Sequence, residues 1–252
     1  MIKSYVVEKL QLKNEWQGGD YGVYEWKLND ENGAAIDDSD SLTAGTTVYV
    51  VTNYTKFKTE PVGGDIVLAG YTGEKPRGHI ILPSGITKIG EGAFNGCSDL
   101  AGRLVIPSGV REIGYNSFKG CSGLNSLAIP DGVTKIEVAA FSGCQQLKDG
   151  LRLPSTLTVI GGFAFYECKN LTGELELPVN LISLGQKAFS GCSGFSSVKI
   201  RSDKITNIDT LAFGATKAGI TFIVRTSDVR AKLITSSNDP SFGSKITVDS
   251  SI

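Results

Sequence analysis

Apolar positions recur in one fixed order through the middle of the chain. One unit reads Leu124-Asn-Ser-Leu127-Ala-Ile129-Pro130-Asp-Gly-Val133-Thr-Lys-Ile136-Glu-Val-Ala-Ala140-Phe141-Ser-Gly-Cys144. Leu127 and Ile129 alternate with Ser126 and Ala128, the period of a short strand with one buried face. Pro130 then ends ladder donation and turns the chain. Val133 and Ile136 point inward from a looser arc, Ala140-Phe141 fills the core on the far side, and Gly143 permits a tight corner before Cys144.

The unit repeats. Pro83, Pro107, Pro130, Pro154 and Pro178 lie 24, 23, 24 and 24 residues apart. Cys97, Cys121, Cys144, Cys168 and Cys192 keep the same intervals, as do Phe94, Phe118, Phe141, Phe165 and Phe189, with Phe213 as a sixth beat. A common period for three residue types is the signature of a solenoid, each unit burying its apolar face against the next. Stacked strands about 4.8 Å apart make a parallel sheet, and the period lies within the roughly 20–29 residues of leucine-rich repeats. The expected architecture is a right-handed leucine-rich-repeat horseshoe. Its parallel sheet lines the concave face, and turns and short 3₁₀ segments form the outer arc. About six repeats and a cap occupy residues 65–252. The cap starts near residue 220: a last strand at 220–224, a helix from Thr226 with a Thr/Ser start signal, and a closing strand at 245–248.

Residues 1–64 show no repeat. Runs at 5–12, 21–28 and 46–51 are rich in strand formers, and Asn32-Gly33 suits a type I′ hairpin turn. They read as a small all-β module, immunoglobulin-like or β-grasp-like, with Trp16 and Trp26 as core aromatics, since so short a module needs large side chains to bury enough area. The competing reading of the tryptophans is an exposed docking surface.

The segment Ile106-Pro107-Ser-Gly-Val110-Arg-Glu-Ile113-Gly114-Tyr-Asn-Ser-Phe118-Lys-Gly-Cys121 closely resembles the BspA-like class of leucine-rich repeats found in bacterial surface antigens. The resemblance covers about residues 65–225. It implies protein-protein or adhesive binding at cell surfaces rather than catalysis. The pattern departs at the end, where Arg201 replaces proline and Thr216 replaces cysteine, as expected where an array closes.

Composition narrows the field. The 252 residues are 40% apolar and 20% charged, which argues against disorder over most of the length. A net charge of −1 argues against a nucleic-acid-binding protein. Residues 1–76 carry 12 acidic and 7 basic side chains, and the rest carries 14 and 18, a split that supports two units. No run approaches the roughly 20 apolar residues of a membrane span, so no direct membrane insertion is expected. The first residues lack an apolar leader and cleavage site. Two routes stay open: a leader removed ahead of Met1, or export by another path.

Candidate chemistry is sparse. Five thiols at the repeat period, with no C-x-x-C pair, read as small buried hydrophobes rather than redox or metal groups, although stacked neighbours about 5 Å apart at Cα would lie within disulfide distance. His79, the single histidine, falls at an outward strand position with the cysteines facing away, so it has no nucleophile to activate. The acidic run Asp37-Asp38-Ser39-Asp40, near Asp30 and Glu31, offers oxygen ligands for calcium but lacks the EF-hand spacing and reads as a solvated loop. No phosphate-binding glycine pattern is present. Catalytic residues, cofactor and metal are therefore all expected to be absent.

The remaining candidate is a surface. Outward strand positions form two columns, and from them His79, Ile81, Arg103, Val105, Arg152, Glu174, Glu176 and Lys199 are the expected partner contacts, the alternative being a solvated face with no partner. The expected function is non-enzymatic binding or adhesion to a protein partner, host or envelope protein or glycoprotein, at the bacterial surface or in the extracellular space. The rival is a structural component of a virion or extracellular assembly anchored by the first module.

Overall fold

A computed structural model describes residues 23–28, 48–53, 56–148, 150–216, 219–237 and 242–252, with side chains from Phe57 onward. The expectations for Tyr5–Leu12, the Asn32-Gly33 turn, the 37–40 acidic run and both tryptophan side chains lie outside the described residues. The first strands are β1 (Val23–Leu28) and β2 (Val48–Asn53), paired antiparallel. β3 (Lys56–Val62) and β4 (Asp65–Thr72) form an antiparallel hairpin. Two strands per turn follow in most of the repeats: β5 (His79–Ile80), β6 (Lys88–Ile89), β7 (Gly102–Val105), β8 (Glu112–Ile113), β9 (Leu124–Ala128) and β10 (Lys135–Ile136). The array continues with β11 (Val159–Ile160), β12 (Gly173–Leu177), β13 (Ser183–Leu184), β14 (Phe195–Ile200), β15 (Asn207–Ile208) and β16 (Thr221–Val224). It closes with helix α1 (Ser227–Ser236), a 3₁₀ turn at Phe242–Lys245, and β17 (Ile246–Val248).

The chain is a parallel-sheet solenoid, as the period requires. One ladder is continuous: β4, β6, β8, β10, β11, β13 and β15 pair in parallel, with β3 antiparallel at its start. Residues 56–62 thus belong to the solenoid's sheet, and β1 also meets the array by pairing antiparallel with β5. The inward column of this ladder, Leu68, Ile89, Ile113, Ile136, Ile160, Leu184 and Ile208, is buried throughout. This arc was expected to carry only turns and 3₁₀ segments. The parallel ladder forms there because Lys-Ile-type pairs need only two extended residues to join neighbouring turns.

A second set of bonds runs beside the phenylalanines. The amides of Phe94, Phe118, Phe141, Phe165 and Phe189 donate to Ser117, Ala140, Ala164, Ala188 and Ala212 of the next turn at 2.7–2.8 Å. Two left-handed residues per turn, two positions before and after the phenylalanine, bring the flanking amides into the same row. At the first of these stand Gly92, Asn116, Ala139, Phe163, Lys187 and Leu211, and at the second Gly96, Gly120, Gly143, Glu167, Gly191 and Ala215, all with φ between 52° and 81°. L-residues in this region pay about 1–2 kcal/mol, so the row is held by its bonds and by the rings beneath it. Those rings stack nearly parallel, with centroids 5.1, 5.4, 5.3, 5.2 and 5.7 Å apart from Phe94 to Phe213. Phe57 and Tyr71 cover the first ring, and Phe222 meets the last edge-on.

All five cysteines are free and buried. The thiols of Cys121, Cys144, Cys168 and Cys192 donate to the carbonyls of Phe94, Phe118, Phe141 and Phe165 in the preceding turn at 3.1–3.2 Å. Burial pushes all five up, Cys144 and Cys192 to about 12. At the far end, the Thr226 side chain accepts from Val229 N and caps α1, and Leu211 N donates to Ser236 O. The cap thereby takes the bond that a further repeat would have received.

Two measurements check this account. Ala215→Gly, at an exposed left-handed position, raises stability by about 1 kcal/mol in denaturant unfolding. The thiols ionise later in the folded chain than in the unfolded one, so their contribution is complete below the ordinary thiol value of 9.0 and is lost as pH rises towards about 12. Unfolding free energy therefore falls across that window. The fall is shallower in Cys144→Ala/Cys192→Ala.

Candidate binding groove

The strand-face column is where the repeats differ from one another. Pro107 lies ten residues after Cys97, Pro130 nine after Cys121, Pro154 ten after Cys144, Pro178 ten after Cys168, and Arg201 nine after Cys192. Where a ten-residue stretch precedes a nine, the ladder absorbs the odd residue as a register shift, between Gly102 and Arg103 against β9 and between Gly173 and Glu174 against β14. The residue five before the proline makes that shift possible. Gly78, Gly102 and Gly173 occupy it with φ of 69°, 75° and 80°, a conformation that glycine adopts without penalty.

In the 144–154 stretch the glycine comes one position late. Asp149 stands five before Pro154, and Gly150 follows it. Gly150 is not left-handed, and a Cβ added there would meet nothing within 4 Å. Residues 150–154 form no strand, and among the described residues they make no backbone hydrogen bond to β9 or β12. The strand face is consequently split, with β7 and β9 on one side and β12, β14, β16 and β17 on the other.

At the break lies an open groove of about 690 Å³ with residues 150–154 as its floor, residues 129–131 as one wall, and Glu174 and Glu176 as the other. Inward positions that are sealed elsewhere are partly open here. Leu104, Ile106, Leu175 and Leu177 are fully buried, whereas Leu127, Ile129 and Leu153 are only half-buried. The core therefore shows an apolar strip here, with Ile129 and Leu153 in the groove beside Asp131, Arg152, Glu174 and Glu176.

The expected contact residues divide into three groups. Arg152, Glu174 and Glu176 meet at the groove and are exposed. Arg103 and Val105 lie on β7 beyond β9, both exposed, with Val105 at 51%. His79 and Ile81 lie at the first turn and are half-buried. The imidazole of His79 sits against Gly102, where an added Cβ would come within 3.1 Å of Nδ1, so it is less open than strand alternation implies. Lys199 is tied down by its neighbours: its Nζ is 2.8 Å from Glu174 and 3.9 Å from Glu176, and Arg201 reaches Glu176 at 3.6 Å. The Lys199 hydrogen bond, helped by one from Ser197, holds the Glu174 carboxyl below its ordinary value. Arg103 and Arg152 have no ion-pair partner among the described residues.

Sequence reasoning missed the apolar strip and Asp131. The signal was present in the displacement of one glycine, legible only once Gly102 and Gly173 are known to need a left-handed backbone. Among the described residues no three metal-ligating side chains converge, and no helix is long and apolar enough to cross a membrane.

The family model for the BspA type leucine-rich repeat region, in six copies, matches residues 74–151 and 149–231. Among solved structures, the chain is similar to a leucine-rich repeat protein of T. pallidum (TpLRR). The two are 27% identical over 66% of this chain and 83% of that one, with a TM-score of 0.52. It is also similar in fold to the pneumococcal vaccine antigen PcpA, at 20% identity and a TM-score of 0.57, over 76% of this chain but 47% of that antigen. No curated protein matches it.

The salt-bridged wall is open to direct test. An NMR titration of Glu174 finds its midpoint below the ordinary glutamate value of 4.5, and Lys199→Met moves it back up. The sign follows from Lys199 favouring the ionised carboxylate. The stabilisation it supplies is present above the unfolded value and is lost as pH falls through the folded one.

Proposed function

Because the chain belongs to the BspA type leucine-rich repeat family, we propose that it is a non-enzymatic binding or adhesion protein of the bacterial surface or extracellular space. It engages a protein partner through the strand face of its solenoid. Membership supports this directly: such repeats resemble those of bacterial surface antigens, and a repeat array offers one continuous face for recognition. The observation that carries the reading is the split strand face, where half-buried Ile129 and Leu153 line a groove rimmed by unlike charges. An apolar centre with a polar rim is the usual anatomy of a protein-protein interface.

The charges divide the face by role. Glu174 pairs closely with Lys199, and Glu176 more loosely with Lys199 and Arg201, so they shape the wall and contribute little net attraction when exposed. Arg103, outside the groove and without such a partner among the described residues, supplies a charge that a docking surface would meet.

The test uses the full chain. Proteins captured from host-surface or envelope material are identified, and the affinity of each is measured against wild type and Arg103→Glu. The charge reversal weakens binding about tenfold and lowers its salt dependence, because the attraction that salt screens is gone. Unchanged binding in the reversed variant would remove this face from consideration.

A further inference from the structure

We infer that the groove between β9 and β12 holds an extended, basic peptide segment of the protein partner, with an aliphatic side chain on its floor and lysine or arginine at its rim. This rests on the binding role proposed above and gives that role a location and a ligand chemistry.

The first argument is main-chain chemistry. Residues 151–153 occupy the place of a strand without its bonds, and among the described residues their N–H and C=O groups find no backbone partner. In a parallel ladder, successive residues direct their backbone groups to opposite sides. Leu177 O accepts from Arg201 N just past β14, and Ala128 O accepts from Ile106 N just past β7. By alternation, the backbone groups of Glu174 and Glu176 on one wall, and of Leu127 and Ile129 on the other, face the groove. Unpaired strand edges are the features that an added extended segment recognises.

Shape and charge define the segment. Successive side chains of an extended peptide point to opposite sides, and residues two apart lie about 6.6–6.8 Å from each other on one side. A groove of about 690 Å³ therefore takes a few residues, not a folded surface. Its lining carries the half-buried side chains of Ile129 on the wall and Leu153 on the floor, which suit Val, Ile or Leu. The groove is lined by three carboxylates, Asp131, Glu174 and Glu176, and by the cation Arg152, while Lys199 and Arg201 engage the two glutamates. Asp131 has no ion pair among the described residues, and the contacts of Glu176 at 3.6 and 3.9 Å are long, so both retain capacity for an incoming cation.

The test titrates the full chain with acetyl-Lys-Val-Lys-Val-Lys-amide. Its controls replace Lys by Glu, replace Val by Ser, or methylate the backbone nitrogens of the valines. The Lys-Val peptide binds, and each control binds at least about tenfold more weakly. Asp149→Gly/Gly150→Glu copies the order of Gly173 and Glu174, completes the missing strand and closes the groove. It reduces binding about tenfold or more while thermal unfolding stays the same or moves up. Asp131→Lys, an exposed rim change, provides a second reading that does not depend on rebuilding the strand, and it also weakens binding.

Equal binding of the Lys-Ser peptide would reduce the effect to charge alone and overturn the assignment. So would unchanged affinity in the groove-closed variant with its fold intact. A natural partner that loses binding to Arg103→Glu alone, yet binds the groove-closed variant normally, would leave the strand-face function standing and overturn only the groove.

Discussion

Every turn of this protein depends on the next for its backbone hydrogen bonds. A 23–24-residue turn is too short to satisfy its own amides, and an unpaired buried amide costs about 1–3 kcal/mol. The solution is lateral. Two-residue strands from Lys88 to Ile208 join turn to turn, and the Phe94–Phe189 amides do the same on another side. The stacked rings and thiol-to-carbonyl bonds beneath them fix the spacing at which both sets can form. Ala139, Phe163 and Leu211 are held left-handed because the row of bonds requires it, even though glycine would fit more easily.

The same dependence explains the ends. An array that passes its bonds forward leaves its last turn with donors and no acceptor. Here α1 supplies one at Ser236 O, and β17 pairs with the edge of β16. At the start, β3 closes the exposed side of β4, and Phe57 and Tyr71 cover the first ring. Termination is thus chemically continuous with repetition.

Much of this was legible from residue spacing. Proline, phenylalanine and cysteine at one period dictated a parallel solenoid, and Ile220–Val224, Thr226 and Lys245–Val248 marked the strand, helix cap and closing strand that the structure contains. The second ladder was not legible, because Lys135-Ile136 is too short to show a strand pattern by itself and acquires one only beside Glu112-Ile113 and Val159-Ile160. Contact residues were chosen by strand alternation, which finds side chains that face outward but not the partners they meet there. Arg152, Glu174 and Glu176 do gather at the groove, whereas Lys199 is held by the carboxylates beside it. The half-exposed Leu127, Ile129 and Leu153 could not be found this way, since their pattern is that of core residues in every other turn.

A break in the strand face survives because the array is joined along more than one line. Losing the bonds of residues 151–153 costs about 0.5–1.5 kcal/mol for each bond not made, and partial exposure of three aliphatic side chains costs more. In a single sheet such a gap would leave two edges and divide the fold. In this solenoid the β10–β11 and β11–β13 pairs continue behind it, and the Phe141–Phe165 stack crosses it at 5.3 Å. Residues 150–154 can therefore depart from strand geometry without uncoupling the turns on either side. That tolerance is a property of the repeat itself: redundancy between ladders leaves one of them free to be interrupted, and an interruption is where a uniform surface acquires a distinct site.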